Sequence, residues 1–203
     1  MSSTAAPTHR KDAARNRSAL LAAATAVFEK EGMGAPLESV AAAAGLSRAS
    51  LARHFRSRED LVAALWEADV LEIEELSAAV AGAPDGLLRV FDAVVGRQVD
   101  RRAVRPTMSQ IEQGKLVDLV ARLAAAIGRT LPSARRAECA RTDLQVDDVM
   151  LAIAMCADVI TEPGDRSARA ARWIAARRLV VPGIVQPGWI ADHPQTLDDP
   201  IQG

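Results

Sequence analysis

Tyrosine is absent from the sequence, and only three Phe and three Trp occur in its 203 residues. Alanine takes about a fifth of the chain instead. Much Ala with few aromatic or β-branched residues favours helices and speaks against sandwiches, barrels and parallel-sheet enzymes. Cysteine is scarce as well. Cys139 and Cys156 are too few for a disulfide framework and sit in apolar, helix-like stretches, so both are expected as buried, reduced thiols. No apolar run approaches the ~18 residues that would span a bilayer. The opening MSSTAAPTHRKDAARNR lacks the apolar segment of a secretory signal. A cytoplasmic protein that does not engage membranes is the expectation.

Charge is short in neither sign. The net of −1 gives no hint of a polyanionic partner, yet it conceals a division. Residues 1–64 hold nine Lys and Arg against six Asp and Glu, and the remainder holds 16 against 20. A basic front and an acidic rear suit a polyanion-binding head on a body that need not touch the polyanion.

The pattern of apolar residues and breakers predicts helices throughout. Residues 1–9 read as a disordered arm. From about Arg10 to Lys30, Leu20, Leu21, Ala24, Val27 and Phe28 share one helical face. Gly32 and Gly34 end that helix, and Pro36 suits the start of another over Leu37–Ala44. Gly45 can take positive φ, and Ser47 can cap a third helix running through His54. Ser57-Arg58-Glu59-Asp60 resembles a capping box before a long helix to about Val80. Further helices are expected over 86–101, 105–112, 115–130, 133–140, 148–160 and 166–180, with a Pro-containing loop from 182 onward. The domain reading is an arm (1–9), a three-helix head (10–57), a larger helical body (58–181) and a tail (182–203).

The stretch LESVAAAAGLSRASLARHFRSREDL carries most of the functional information. Two short helices flank a Gly-containing turn of the length that lets helices cross steeply. Val40, Ala41 and Ala44 can meet Leu46, Leu51 and Phe55, and the small Ala side chains permit close crossing. Arg48, Ser50, Arg53 and His54 point away from that seam. A helix with a packed back, a basic hydrogen-bonding front and Ser47 at its start fits a DNA major groove. Arg58, at the next helix start, and Arg15 and Arg17 upstream are candidates for phosphate contacts.

These residues resemble a family. GLSRASLARHFRSREDL is similar, position by position, to the helix-turn-helix signature of tetracycline-repressor-like (TetR) regulators, and RNRSALLAAATAVFEKEG to their first helix. The likeness covers about residues 10–65. Leu87–Ile160 is similar in layout to the SbtR-like class of C-terminal regulatory domain. What the resemblance implies is an all-α homodimer: a three-helix helix-turn-helix head on double-stranded DNA, followed by a larger helical domain for dimerisation and for a small-molecule inducer. The last two long helices would form the dimer interface. Ala52 departs from the pattern, since the family places a backbone-contacting Tyr there; Ala49 replaces a frequent Gly, and Pro36 a usual Thr or Ser.

No nucleophile motif, phosphate loop or metal-ligand spacing occurs. Neither an enzyme nor a cofactor is expected. Candidates for an inducer pocket are Trp66, Phe91, Val95, Arg105, Met108, Ile111, Leu123, Met150 and Met155, a mostly aliphatic set in which Arg105 could meet an anionic group. The function expected is a ligand-responsive regulator, a repressor released from a palindromic operator by its inducer. The alternative is a ligand-binding helical protein whose DNA binding has been lost, which Ala52 keeps open.

Overall fold

A computed structural model describes residues 6–100, 111–161 and 165–198. Among them the chain is helical: α1 Ala6–Glu31, α2 Leu37–Ala43, α3 Arg48–His54, α4 Arg58–Val80, α5 Gly86–Asp100, α6 Gln113–Arg136, α7 Val146–Thr161, α8 Arg166–Ile184 and α9 Pro187–Asp192, then a 3-10 turn Pro194–Leu197. No strand forms among the described residues; a lone antiparallel bridge joins Ala140 to Val185. The all-α expectation is met.

Two compact units divide the chain, 1–67 with 103–115 and 68–102 with 116–203. In the first, the α1 face of Leu20, Ala24, Val27 and Phe28 is buried. So are Val40 and Ala41 of α2, Leu51 of α3, Phe55, and Leu61, Val62 and Leu65 of α4. Local signals set the helix ends. Gly32, at φ 81°, closes α1 by donating to the Phe28 carbonyl at 2.9 Å. Ser57 caps α4 through a bond from the Asp60 N–H at 3.2 Å. Beside that N-terminus the Glu59 carboxyl is held below its usual range, first by a backbone hydrogen bond and then by Ser57.

The second unit is built around Phe91, fully buried and tilted against Trp173 with ring centroids 5.6 Å apart. Leu87, Val90 and Val95 of α5, Ile127 of α6, Val149, Ile153 and Ile160 of α7, and Val181 and Ile184 of α8 complete the same core. Ser77 of α4 donates to the Ala126 carbonyl of α6 at 2.6 Å. Arg122 holds Glu74 in a fork of two bonds, 3.0 and 2.7 Å, and draws the Glu74 carboxyl below its usual range.

Two sequence expectations change here. The helices expected at 115–130 and 133–140 are one, because Pro132 lies inside α6. Pro132 is exposed, so the bond its missing N–H would have made is lost on the side where water can replace it. Past 182 the chain is not simply a loop. α8 continues through Pro182, anchored by the buried Val181 and Ile184 on either side, and Pro187 then starts α9 at a first-turn position that suits proline. The Gln186 N–H donates to the Cys139 carbonyl at 2.8 Å and the Arg141 N–H to the Ile184 carbonyl at 3.0 Å, fixing this corner. α1 begins at Ala6, inside the expected arm. The helix expected at 105–112 falls mostly outside the described residues.

Candidate nucleic-acid interface

The turn between α2 and α3 is where backbone chemistry positions the site. Gly45 adopts φ 67°, a conformation a β-carbon would strain. Its N–H donates to the Ala42 carbonyl at 3.0 Å and that of Leu46 to Ala41 at 2.9 Å, which closes α2 in the manner of a left-handed helix cap. Ser47 then caps α3, accepting from the Ser50 N–H at 3.1 Å. Leu51 is the buried back of α3. The opposite face is open: Arg48, Ala49, Ala52 and Arg53 are exposed, and Ser50 and His54 are half-buried.

The polar groups on that face are already ordered. Ser47 Oγ and Ser50 Oγ lie 3.1 Å apart, and Arg53 Nη2 donates to Ser50 Oγ at 2.9 Å. Arg48 Nη1 pairs with Glu38 Oε1 of α2 at 2.6 Å, both side chains at least half exposed. His54 lies beside Phe55, ring centroids 6.3 Å apart. α3 therefore presents two guanidiniums, hydroxyls and an imidazole on one short, capped helix.

Not every expected contact residue shares that face. Arg15 is exposed and pairs with Asp12 at 3.4 Å. Arg17 reaches Glu67 at 3.5 Å and lies over the Phe55 ring at 5.6 Å. Arg58 is engaged internally: Nη1 donates to the Met33 carbonyl at 2.5 Å and Nη2 to the Ala35 carbonyl at 2.7 Å, with the guanidinium 5.6 Å from the Phe28 ring centroid. It ties the segment between α1 and α2 to α4. Glu38 was not singled out from sequence, because its pairing with Arg48 depends on the crossing of α2 and α3.

The pocket candidates separate by unit. Phe91 and Val95 are buried in the core of the second unit, with Leu123 and Met150 packed against it. Trp66 and Ile111 belong to the first unit. Met155 is 56% exposed; five residues after Met150 on one helix, it lies roughly 140° around the axis. Arg105 and Met108 lie outside the described residues. Trp173 is not among the pocket candidates, yet its indole N–H is buried beside Phe91 without a hydrogen-bond partner.

Residues 20–65 match the model of the bacterial regulatory proteins of the tetR family, the same stretch that forms the α2–turn–α3 geometry. The match covers the helix-turn-helix head and 46 of the 203 residues. That stretch is similar to the helix-turn-helix, DNA-binding segment of these regulators of transcription. Among solved structures the chain is similar to the TetR transcription regulatory protein from Mycobacterium vanbaalenii, at 26% identity and TM-score 0.62 over 75% of this chain and 96% of that one. A TetR transcriptional regulator from Streptomyces coelicolor shares the fold at 22% identity and TM-score 0.67, over 84% and 99%. So does SmeT of Stenotrophomonas maltophilia, repressor of the multidrug efflux pump SmeDEF, at 18% and 0.59, over 85% and 92%. No curated protein sequence matches the chain. No helix among the described residues is long and apolar enough to cross a membrane.

Proposed function

We propose that the protein is a dimeric repressor that reads a palindromic operator through α3 and is released by a small molecule bound in its second unit. The observation that carries the DNA reading is the Ser47-capped α3 with Arg48 and Arg53 exposed on its open face. Arginine in a major groove donates in a fork to guanine, a contact that discriminates by about 1–3 kcal/mol. Two such helices on a two-fold dimer would enter successive major grooves about 34 Å apart. Arg15, Arg17, Ser47, Ser50 and His54 complete the proposed contact set, and Arg58 serves it by holding the head together.

Dimerisation through α7 and α8 is supported by their outer faces. Leu151, Met155 and Val159 recur every four residues on α7 and are 61%, 56% and 42% exposed; Leu179 of α8 is 83% exposed. Between the two helices runs an apolar groove of about 300 Å³ that includes Met155, Val159 and Leu179. The buried members of the same helices, Val149, Ile153 and Trp173, belong to the intrachain core, so each helix has one face for its own chain and one for a partner. An inducer among Phe91, Val95, Leu123 and Met150 would meet aliphatic walls and the unpaired Trp173 N–H. It would act by binding the DNA-incompetent dimer more tightly.

The exposed Ala52 favours a second reading, ligand binding without DNA binding, because a methyl group offers little to a phosphate backbone. Selection from a random duplex pool decides between them. Enrichment of a palindrome, abolished in Arg48→Ala with the dimer intact, is the expected result. A pool that stays random would refute the repressor.

A further inference from the structure

A second concave feature of the second unit has a chemistry unlike the apolar core. It is a cleft of about 390 Å³ between the start of α5, α8 and the segment from α9 to the 3-10 turn, a volume in the range of small-molecule sites, about 300–1,000 Å³. Its floor is a buried ion pair. Arg177 of α8 donates through Nε and Nη2 to the two carboxylate oxygens of Asp92 on α5, at 2.7 and 2.9 Å. The remaining Nη1 donates to the carbonyls of Thr196 and, at 3.2 Å, Asp198. Every arm of that guanidinium is committed, so Arg177 fastens the C-terminal segment to α5 and is not free for a ligand.

One wall is stiff and aromatic. Trp189 and His193 stack with ring centroids 4.0 Å apart and planes 15° from parallel, and His193 Nδ1 lies 3.2 Å from the Trp189 carbonyl. The Trp189 indole N–H is buried and has no acceptor. The same cleft is lined by Asp85, Leu88 and Arg89. Asp85 and Arg89 stand one helical turn apart, which separates their β-carbons by roughly 5–6 Å. Neither pairs with the other or with another described residue. An acid and a base, neither paired with another described residue, line the same cleft as Leu88 and Trp189 and form a complement rather than a salt bridge.

We propose that this cleft binds a small zwitterion with an apolar arm, the chemical class of a free α-amino acid with a large hydrophobic side chain. Its carboxylate would take the fork of Arg89, its ammonium the carboxylate of Asp85, and its side chain the surface of Leu88 and Trp189. Paired opposite charges explain why neither an anion nor a cation alone would satisfy the rim. The cleft lining does not include Phe91, Val95, Leu123 or Met150, and its presence does not depend on DNA binding. Because the cleft floor is built from α8, whose outer face carries Leu179, an occupant would act on the helix that forms the proposed dimer face.

The chain has three Trp, so an ¹⁵N-labelled sample of the full chain shows three indole signals, and Trp189→Phe identifies that of Trp189. Titration with L-phenylalanine is expected to shift it saturably. N-acetyl-L-phenylalanine and L-phenylalaninamide, each lacking one charge, and the variants Arg89→Gln and Asp85→Asn are each expected to weaken binding about tenfold, the loss of one charge-assisted contact. The proposal is overturned by no saturation of the Trp189 signal below about 10 mM. It is also overturned if the blocked amino acids bind as well as the free one, or if both variants bind like the wild type.

Discussion

Arg58 is the residue whose role changes most between sequence and structure. Read as a phosphate contact, it would make DNA binding less salt-dependent when removed, by about 0.9 in the slope of log K against log salt. In the structure its cation serves the Met33 and Ala35 carbonyls and the Phe28 ring. Arg58→Ala is therefore expected to destabilise the head by about 1–3 kcal/mol with the salt slope unchanged; thermal unfolding and an anisotropy titration separate the two. Glu38 gives a prediction of opposite sign. It holds Arg48 at 2.6 Å, a partner that DNA would have to displace. Glu38→Gln should raise affinity for duplexes of any sequence and steepen the salt slope, and unchanged binding would place Arg48 outside the interface.

The cysteines also titrate with consequences. Burial, with a smaller push from Asp85, raises Cys139 to about 12; burial with Asp92 behind it raises Cys156 to about 11. Both values lie above the ordinary thiol value of 9.0. The unfolded chain therefore loses these protons first, and the thiols' contribution to stability should be level below pH 9.0 and fall as pH rises towards 11 and 12. Ellman's reagent at pH 8 should label the native protein slowly and both thiols at once in denaturant; rapid native labelling would show that the burial is wrong.

At the level of elements, the turn from α4 to α5 makes a sharp demand on one position. A β-carbon on Gly86 would stand 2.3 Å from the Val80 carbonyl oxygen, with the carbonyl carbon at 3.3 Å. Backbone cannot give way as a side-chain tip can. Gly86→Ala should cost about 1–3 kcal/mol, read as a lower urea midpoint, whereas Gly82→Ala, with open space around its β-carbon, should cost little. The start of α5 was legible in the sequence because Pro84 and Gly86 mark it, and α2, α3 and α4 were legible because Gly45, Ser47 and Ser57 act on their own neighbours. Pro132 and Pro182 misled for the converse reason. A proline's cost is local, about 3 kcal/mol, but what offsets it is tertiary: Leu131 and Ala134 around one, Val181 and Ile184 around the other, all buried in the core. The cleft above Arg177 and Asp92 was illegible for the same reason, since 85 residues separate the two.

For the molecule as a whole, the exposed apolar stripe on α7 and α8 is where the proposed dimer would tie assembly to DNA binding. Val149, Leu151, Ile153 and Met155 are all apolar residues of α7; the fold sorts them, burying Val149 and Ile153 and leaving Leu151 and Met155 more than half exposed. A charge on the exposed set should leave the monomer fold intact, because nothing in the core moves. Met155→Glu with Leu179→Glu places two carboxylates in the α7–α8 groove of each chain, and across a two-fold interface each meets its own copy or its neighbour's, unpaired and desolvated. The double variant is expected to sediment as a folded, helical monomer. An operator half-site held by one head alone gains nothing from its twin, so affinity for the full palindrome should fall by orders of magnitude while affinity for a single half-site stays the same. A variant that remains dimeric would move the interface elsewhere. A monomer that still binds the full palindrome at wild-type affinity would show that the two heads do not act as a pair.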